Sequence, residues 1–525
     1  MKQNIILLLC LSFGLFSCYD DKGNYDYREI DELTITGMPE EPVTALYKAE
    51  NLVVKPTVTS KFDGEISADD PNYEFAYYYN KAAGGDFLEP SLLDSAMVKD
   101  LDVLAELSPG NYTCWFKVRD LRTNIVISSE FKIQVLTSTT QGWLVLCEEG
   151  ENRKVRMDMI GEVDERIFFQ KGVLDFLPES HGALQILMES NMLYTSQSPY
   201  LNLYAEDNCF SIWSYSGNFS QRDYNDPRGV VFAPKITDCI AKEENNYSYV
   251  VVTTEGDAYQ KTSSSSSLYD FKINVDVPLK DPTYKMAPFV GVGWKDGYNG
   301  ILYDKTNKRF KYFLSYVYGV VNGTKYLFDP KEPETGKKLF DWNTGKELVY
   351  MAGTMQNSGN LVYALLKDAN GQFCIYGITV GQSMSSPLQH IARENINAPG
   401  LENATCYAFH PNLPFLFYNN GGEVYLYDMA TLTATPVVKL SGETITMLKF
   451  NKLPRLGKGF QVDYPQHAID CQYRLAVGSA QSGAEAGSEG SLRFYDVPEF
   501  AADLTQYGET YSGFGVIKDI AYKAR

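Results

Sequence analysis

Histidine is scarce in this chain: His181, His390, His410 and His467 are the only four in 525 residues. None is spaced from another as a metal-binding pair, and neither H-E-x-x-H nor C-x-x-C occurs. G-x-S-x-G, which would seat a nucleophilic serine, and the D-x-D-x-D-G calcium loop are also missing. The Gly-rich stretch GVGWKDG (291–297) lacks G-x-G-x-x-G spacing and a following helix, so it reads as a β-turn. Positive charge is short, with 47 Lys and Arg against 66 Asp and Glu and a formal net charge of −19. That argues against nucleic acid, and against an anionic lipid surface, as an electrostatic partner. No apolar run reaches the ~20 residues that cross a bilayer as a helix. No cofactor, metal or catalytic residue is expected from these motifs.

What is present begins with a leader. Met1 and Lys2 precede an almost wholly apolar run from residue 5 to 16, the layout of a secretory signal peptide over 1–17. Leu15-Phe16-Ser17-Cys18 resembles a bacterial lipobox. The resemblance implies a diacylglycerol on the Cys18 thiol, cleavage before it, and an acyl chain such as palmitate on the new N-terminus. Several acyl chains, at about 0.8 kcal/mol per CH₂, hold a protein durably on a membrane. The competing reading is a plain signal peptide with a chance cysteine. Asp20 and Asp21 follow in Tyr19-Asp20-Asp21-Lys22, which resembles the surface-export signal of Bacteroidetes lipoproteins; a solvated tether with no address is the alternative. Residues 18–29 are polar and aperiodic and read as that tether. Without Cys10 and Cys18, seven of the nine cysteines remain, with no close pair, so no disulfide framework is expected.

Residues 30–137 read as one β-domain. LVVKPTVTS (52–60), YEFAYYYN (73–80), GNYTCWFKVRD (110–120) and NIVISSEFKIQV (124–135) alternate at period two between Gly, Pro and Asp. The length suits an immunoglobulin-like sandwich. Pro109-Gly110-Asn111-Tyr112, leading to Val118-Arg119-Asp120, resembles PKD-type domains. PSLLDSAMVKDLDVL (90–104) reads as a short helix or loop.

After the polar hinge at 136–140 the texture changes, and paired strands recur from 141 to 525. Residues 403–451 parse as four strands, TCYAF, PFLFYN, EVYLYD and TITMLKF, one propeller blade in form. RLAVGSA and SLRFYDV repeat the middle of that unit, with VIKDIAYK as its fourth strand. At ~50 residues per blade the expectation is an all-β chain, a sandwich followed by a β-propeller of seven blades, with eight possible. A pair of β-sandwiches is the rival. The S-x-D-x-G-x-T-W boxes of sialidase-type propellers are absent, although 66 acids leave a carboxylate pair open. TSSSSS (262–267) and SAQSGAEAGSEGS (479–491) read as mobile loops. Trp294 and Trp342 are the candidate ligand-binding residues, able to stack on a sugar or a peptide side chain, with core packing as the competing role. His410, in Ala-Phe-His-Pro, reads as structural.

Taken in order, the Cys18-Tyr-Asp-Asp-Lys-Gly tether, the Pro109-Gly110-Asn-Tyr112 segment and Gly142-Trp143-Leu-Val-Leu146 resemble the PKD-like family lipoproteins of Bacteroides and its relatives. The resemblance implies a lipid-anchored protein on the outer face of the outer membrane. It also implies a SusC/SusD-like, TonB-dependent importer and sister lipoproteins as partners. Three roles are expected in order. The first is a non-enzymatic binding or accessory subunit for peptide or oligosaccharide uptake. The second is a surface glycosidase or peptidase with carboxylates in the propeller centre, and the third a purely structural subunit of the importer.

Overall fold

The computed structural model describes residues 31–81, 91–93, 97–163, 166–189, 200–215, 218–221, 239–245, 248–262, 271–275, 284–294, 299–314, 320–321, 324–331, 338–380, 388–453 and 464–524. The chain divides into two compact units, Met1–Val135 and Leu136–Arg525.

In the first unit, strict alternation makes the strands. Gly110–Asp120 turns Tyr112, Cys114, Phe116 and Val118 inward and leaves Thr113, Trp115 and Lys117 on the other face. This strand is the middle of a five-stranded sheet ordered Val43–Leu46, Val126–Leu136, Gly110–Asp120, Tyr73–Lys81, Ser91–Leu92. Leu33–Thr36, Thr57–Ser60 and Gly64–Glu65 form a second sheet, and Asn51–Val54 pairs with Leu101–Leu104. Between them lies one core containing Phe75, Tyr77, Phe116, Phe131 and Ile133, with Tyr77 and Phe116 at 4.8 Å. This is an immunoglobulin-like arrangement. The run 52–60 is not one strand. Pro56 has no N–H for a ladder, and the chain passes there from one sheet to another. Residues 90–104 hold two short strands where a helix or loop was expected.

The second unit follows a different rule. Its central strands are buried on both faces, as in Gly142–Glu149, where every residue up to Glu148 is buried. A sheet packed between two others needs such continuous apolar runs. Six four-stranded antiparallel sheets occur among the described residues. The first consists of Gly142–Glu149, Lys154–Val163, Arg166–Gln170 and Val516–Lys523. The second runs from Ala183–Glu189 to Asn218–Gln221 and the third from Cys239–Asn245 to Phe271–Lys272. The fifth runs from Glu347–Gly353 to Gln389–Ile396, the sixth from Tyr407–Phe409 to Thr433–Lys439, and the seventh from Glu443–Lys449 to Thr505–Phe514. A fourth is the hairpin of Asn299–Asp304 and Arg309–Leu314, widened by bridges from Gly291 to Ile301 and from Phe328 to Tyr312.

Each four-stranded sheet presents one strand inward: Val516–Lys523, Ala183–Glu189, Cys239–Asn245, Glu347–Gly353, Tyr407–Phe409 and Glu443–Lys449. The last of the chain, Val516–Lys523, lies beside both Ala183–Glu189 and Glu443–Lys449 and so closes the ring, in a propeller-like arrangement. Two expectations about register are corrected. The fourth strand of the sixth sheet is Thr433–Lys439, whereas TITMLKF opens the seventh. VIKDIAYK completes the first sheet, pairing with Gly142–Glu149 from Lys523↔Gly142 to Val516↔Glu148, not the seventh.

Candidate functional site

The inner strands share a local irregularity. The ladder skips Leu184, Ile240, Val349, Thr446 and Lys518, one residue in each of five inner strands. Such a bulge breaks the in–out alternation and re-aims a side chain. Leu184, Val349, Thr446 and Lys518 are accordingly half-buried rather than packed away. An aromatic row crosses three neighbouring sheets at this rim. Phe289 meets Tyr350 edge-on at 5.5 Å, and Tyr350 stacks on Tyr407 and on Phe409, each at 5.7 Å. Burial pushes the Tyr407 phenol up to about 12, and its hydroxyl donates to the Ala404 carbonyl.

Two buried acids at the seam where the ring closes are committed to partners. Glu148 accepts from Arg153, from the Ala183 amide at 2.9 Å, and pairs with Lys518 at 3.2 Å. Asp519 is tied to Lys449. Glu394, on the outer strand of the fifth sheet, is the carboxyl that burial pushes above its usual range among the described residues.

A concave site lies elsewhere, at the seam of the first and second sheets. It is a cavity of ≈ 260 Å³. Met157, Leu174, Leu203 and Phe210, all buried, form its floor, with Val155, Leu177 and Pro178 on the wall. The strand Lys154–Val163 and the segment 173–181 hold it open: the Val155 amide donates to Ser180 O and the Val173 amide to Met157 O, both at 2.8 Å. Lys154, Arg156, Asp175 and Glu179 make the rim. Arg156 is fully engaged, bidentate on buried Asp158, 2.6 Å from Glu149 and donating to Gly487 O at 2.9 Å. Lys154 is not: its Nζ stands 3.9 Å from Glu149 and 3.8 Å from Glu179. Beside the rim, His181 is pushed above its ordinary value, chiefly by the Asp207 carboxylate bonded to its ring.

Of the expected residues, Trp342 is 6 % exposed, packed edge-on to Phe310 and Phe340, and donates Nε1–H to Lys331 O at 3.1 Å. Trp294 is half-buried against the core shared by the sixth and seventh sheets. The two tryptophans belong to different clusters. His410 is buried, with Nδ1 accepting from the Asn412 and Leu413 amides, and burial brings it down to about 4. The loop 482–489 is pinned by Arg156 on Gly487 and by Lys171 on Ser488 rather than standing apart. Cys18, Asp20, Asp21 and the serine run 263–267 lie outside the described residues. The seam cavity was not foreseen. Its one trace in the sequence is Lys154-Val-Arg156-Met-Asp158, three charges on one face of a strand whose other neighbours are apolar.

The model of the PKD-like family matches residues 18–183, starting at Cys18 and ending in the second sheet. No curated protein matches the chain. Among solved structures, a quinonprotein alcohol dehydrogenase-like protein from Bacteroides thetaiotaomicron is similar at 11% identity and a TM-score of 0.38, covering 94% of this chain and 99% of its own. The computationally designed Ika8 protein is similar at 13% identity and a TM-score of 0.36, over 74% of this chain and 98% of its own. YCF48 from Cyanidioschyzon merolae is similar at 11% and 0.34, over 68% and 96%.

Proposed function

We propose that this chain is a lipoprotein anchored through Cys18 on the outer face of the outer membrane, where it serves a SusC/SusD-type, TonB-dependent importer as a non-enzymatic binding or accessory subunit. The importer's cargo is peptide or glycan. A PKD-like match that starts at Cys18, directly after the leader, supports the anchored reading. In this reading the second unit is a seven-bladed propeller, the bridged hairpin at 299–314 counting as the fourth blade.

The observation that carries the non-enzymatic reading is the commitment of two buried acids, Glu148 and Asp519, at the seam where the ring closes. A glycosidase needs two carboxyl groups about 5–10 Å apart, one of them held protonated. Glu148 is instead clamped between Arg153 and Lys518, and Asp519 is held by Lys449. The aromatic row from Phe289 to Tyr407 favours a second reading, a filled centre in a purely structural subunit.

The test is a pull-down of the acylated protein from detergent-solubilised outer membranes, followed by mass spectrometry. Recovery of a TonB-dependent channel and its SusD-like lid with bound peptide or oligosaccharide is the expected result. The channel without ligand would favour the structural subunit. The protein alone would overturn the reading. In parallel, Cys18→Ala should abolish palmitate labelling. Asp20→Ala with Asp21→Ala should keep labelling but remove access to external protease.

A further inference from the structure

We propose that the cavity between the first and second sheets binds the end of a short apolar peptide, or a free apolar amino acid. The side chain lies on the floor and the charged ends meet the rim. The inference rests on the binding role proposed above and names its ligand class as an apolar amino acid, free or at a peptide's end, rather than a glycan.

Three observations carry it. The first is size: ≈ 260 Å³ is below the volume of pockets that enclose drug-sized ligands, and suits one residue with its backbone ends. The second is the floor. Met157, Leu174, Leu203 and Phe210 offer no hydrogen-bonding oxygen or nitrogen from their side chains. Ser180, the polar residue at its edge, already accepts from Asn208 at 3.1 Å and donates to Pro178 O at 3.2 Å. A sugar hydroxyl facing these four side chains would exchange its water bond for none, whereas an apolar side chain meets its like there. The third is the rim, which carries both signs of charge. Lys154 is engaged only at the outer limit of an ion pair, so its ammonium is available to a carboxylate. Asp175 and Glu179 are exposed and suit an ammonium. Arg156 is saturated by Asp158, Glu149 and Gly487, and serves as wall rather than as ligand donor.

The experiment is isothermal titration of the full acylated chain in detergent with trileucine, free leucine, trileucine amide and maltohexaose. Trileucine or leucine should bind saturably, and which of the two binds tighter tells a peptide end from a free amino acid. Amidation of the carboxylate should weaken binding about ten-fold, as should Lys154→Glu, a change at an exposed side chain that leaves the fold intact. Leu203→Trp should fill the floor and abolish binding, with the melting curve verifying that the variant is folded. No heat with either leucine ligand, or binding indifferent to both amidation and Lys154→Glu, would overturn the inference. Maltohexaose binding that Leu203→Trp removes would overturn it too, while leaving the accessory role standing. Trileucine binding by a protein that brings down no importer would overturn only the accessory role.

Discussion

Asp519 Oδ1 lies 2.5 Å from Lys449 Nζ, while its Oδ2 accepts the Ile186 amide at 2.9 Å. One carboxylate on the last strand thus joins the inner strands of the first, second and seventh sheets. Lys449 also reaches the Ile520 carbonyl at 2.8 Å, so the seam where the ring closes is bonded on both sides. Asp519→Ala removes the ion pair and the bond to the Ile186 amide, and leaves a half-buried ammonium with the Ile520 carbonyl but without its counter-charge. Breaking one partner of such a pair costs about 3 kcal/mol. Urea unfolding should show that loss. The double variant Asp519→Leu with Lys449→Met should recover most of it, because replacing both partners leaves no orphan charge. A double variant as unstable as the single one would show that the closure depends on packing alone.

Four residues further on, Lys523 is 1 % exposed and donates to the Thr140 carbonyl at 2.5 Å. Burial brings its ammonium down to about 7. An unfolded chain holds a lysine proton up to about pH 10.4. Between these values the unfolded state binds a proton that the folded state does not, so this residue's contribution to stability rises with pH. It is least favourable below about pH 7 and levels off above about pH 10.5. Lys523→Met should therefore gain on the wild type most near pH 6, and that advantage should shrink steadily towards pH 10. Urea midpoints at about pH 6, 8 and 10 would measure it; a difference independent of pH would contradict the assignment.

At one end of the first unit, Arg122 stands among three acids: Asp63 at 2.7 Å, Asp120 at 3.0 Å and Asp31 at 3.5 Å, with Tyr73 at its Nη2. The Tyr73 hydroxyl, then Arg122, holds the Asp63 carboxyl below its ordinary value. Burial pushes Asp120 the other way, but Arg122 and the backbone amide outweigh it. Carboxylates with depressed values stabilise the fold above their unfolded pKa, about 4, and lose that contribution as pH falls through the folded value. Arg122→Met should thus destabilise this unit at neutral pH, and the gap to wild type should narrow as pH drops from about 4. Hydrogen exchange of peptides within residues 31–135 reads the effect without interference from the second unit. A gap that widened in acid would reverse the argument.

How much of this was legible follows from how far apart the partners are in sequence. Gly142-Trp143-Leu-Val-Leu is readable as a strand because burial on both faces leaves a continuous apolar run. Its partner Val516–Lys523 is not readable as its partner, since nothing local distinguishes pairing with the first sheet from pairing with the seventh. Thr433–Lys439 escaped notice because Pro436 and its exposed threonines deny it a strand's usual look, which an outermost strand tolerates. Trp342 precedes Asn343-Thr-Gly345, and nothing in that local sequence reveals the Phe310, Phe340 and His390 rings around it. The seam cavity depends on where residues 173–181 return against Lys154–Met157, a contact no periodicity encodes.

The glycines of GVGWKDG show what that motif does in the fold. A Cβ on Gly293 would lie 2.1 Å from the Gly359 carbonyl oxygen, and one on Gly291 would meet Ile301 and Val362 at 2.6 and 2.8 Å. These glycines let the inward segment of the fourth sheet press against the fifth, whose Gly353 meets Val292 O in the same way, at 1.7 Å. Gly161 does the equivalent for the first sheet, with Ser138 O at 1.7 Å from its would-be Cβ. Neither Gly161 nor Gly293 has a left-handed backbone, so the obstacle is backbone against backbone, which no rotamer change relieves. Gly421 is the converse case, with φ +61° and nothing within 4 Å. Alanine there incurs only the left-handed strain, about 1 kcal/mol. Alanine at Gly161 or Gly293 must push two backbone segments apart, at about 3 kcal/mol or more. Melting temperatures of the three single variants should fall accordingly, with Gly421→Ala nearest the wild type. Equal losses at all three would mean that backbone conformation, not the spacing of the sheets, sets these positions.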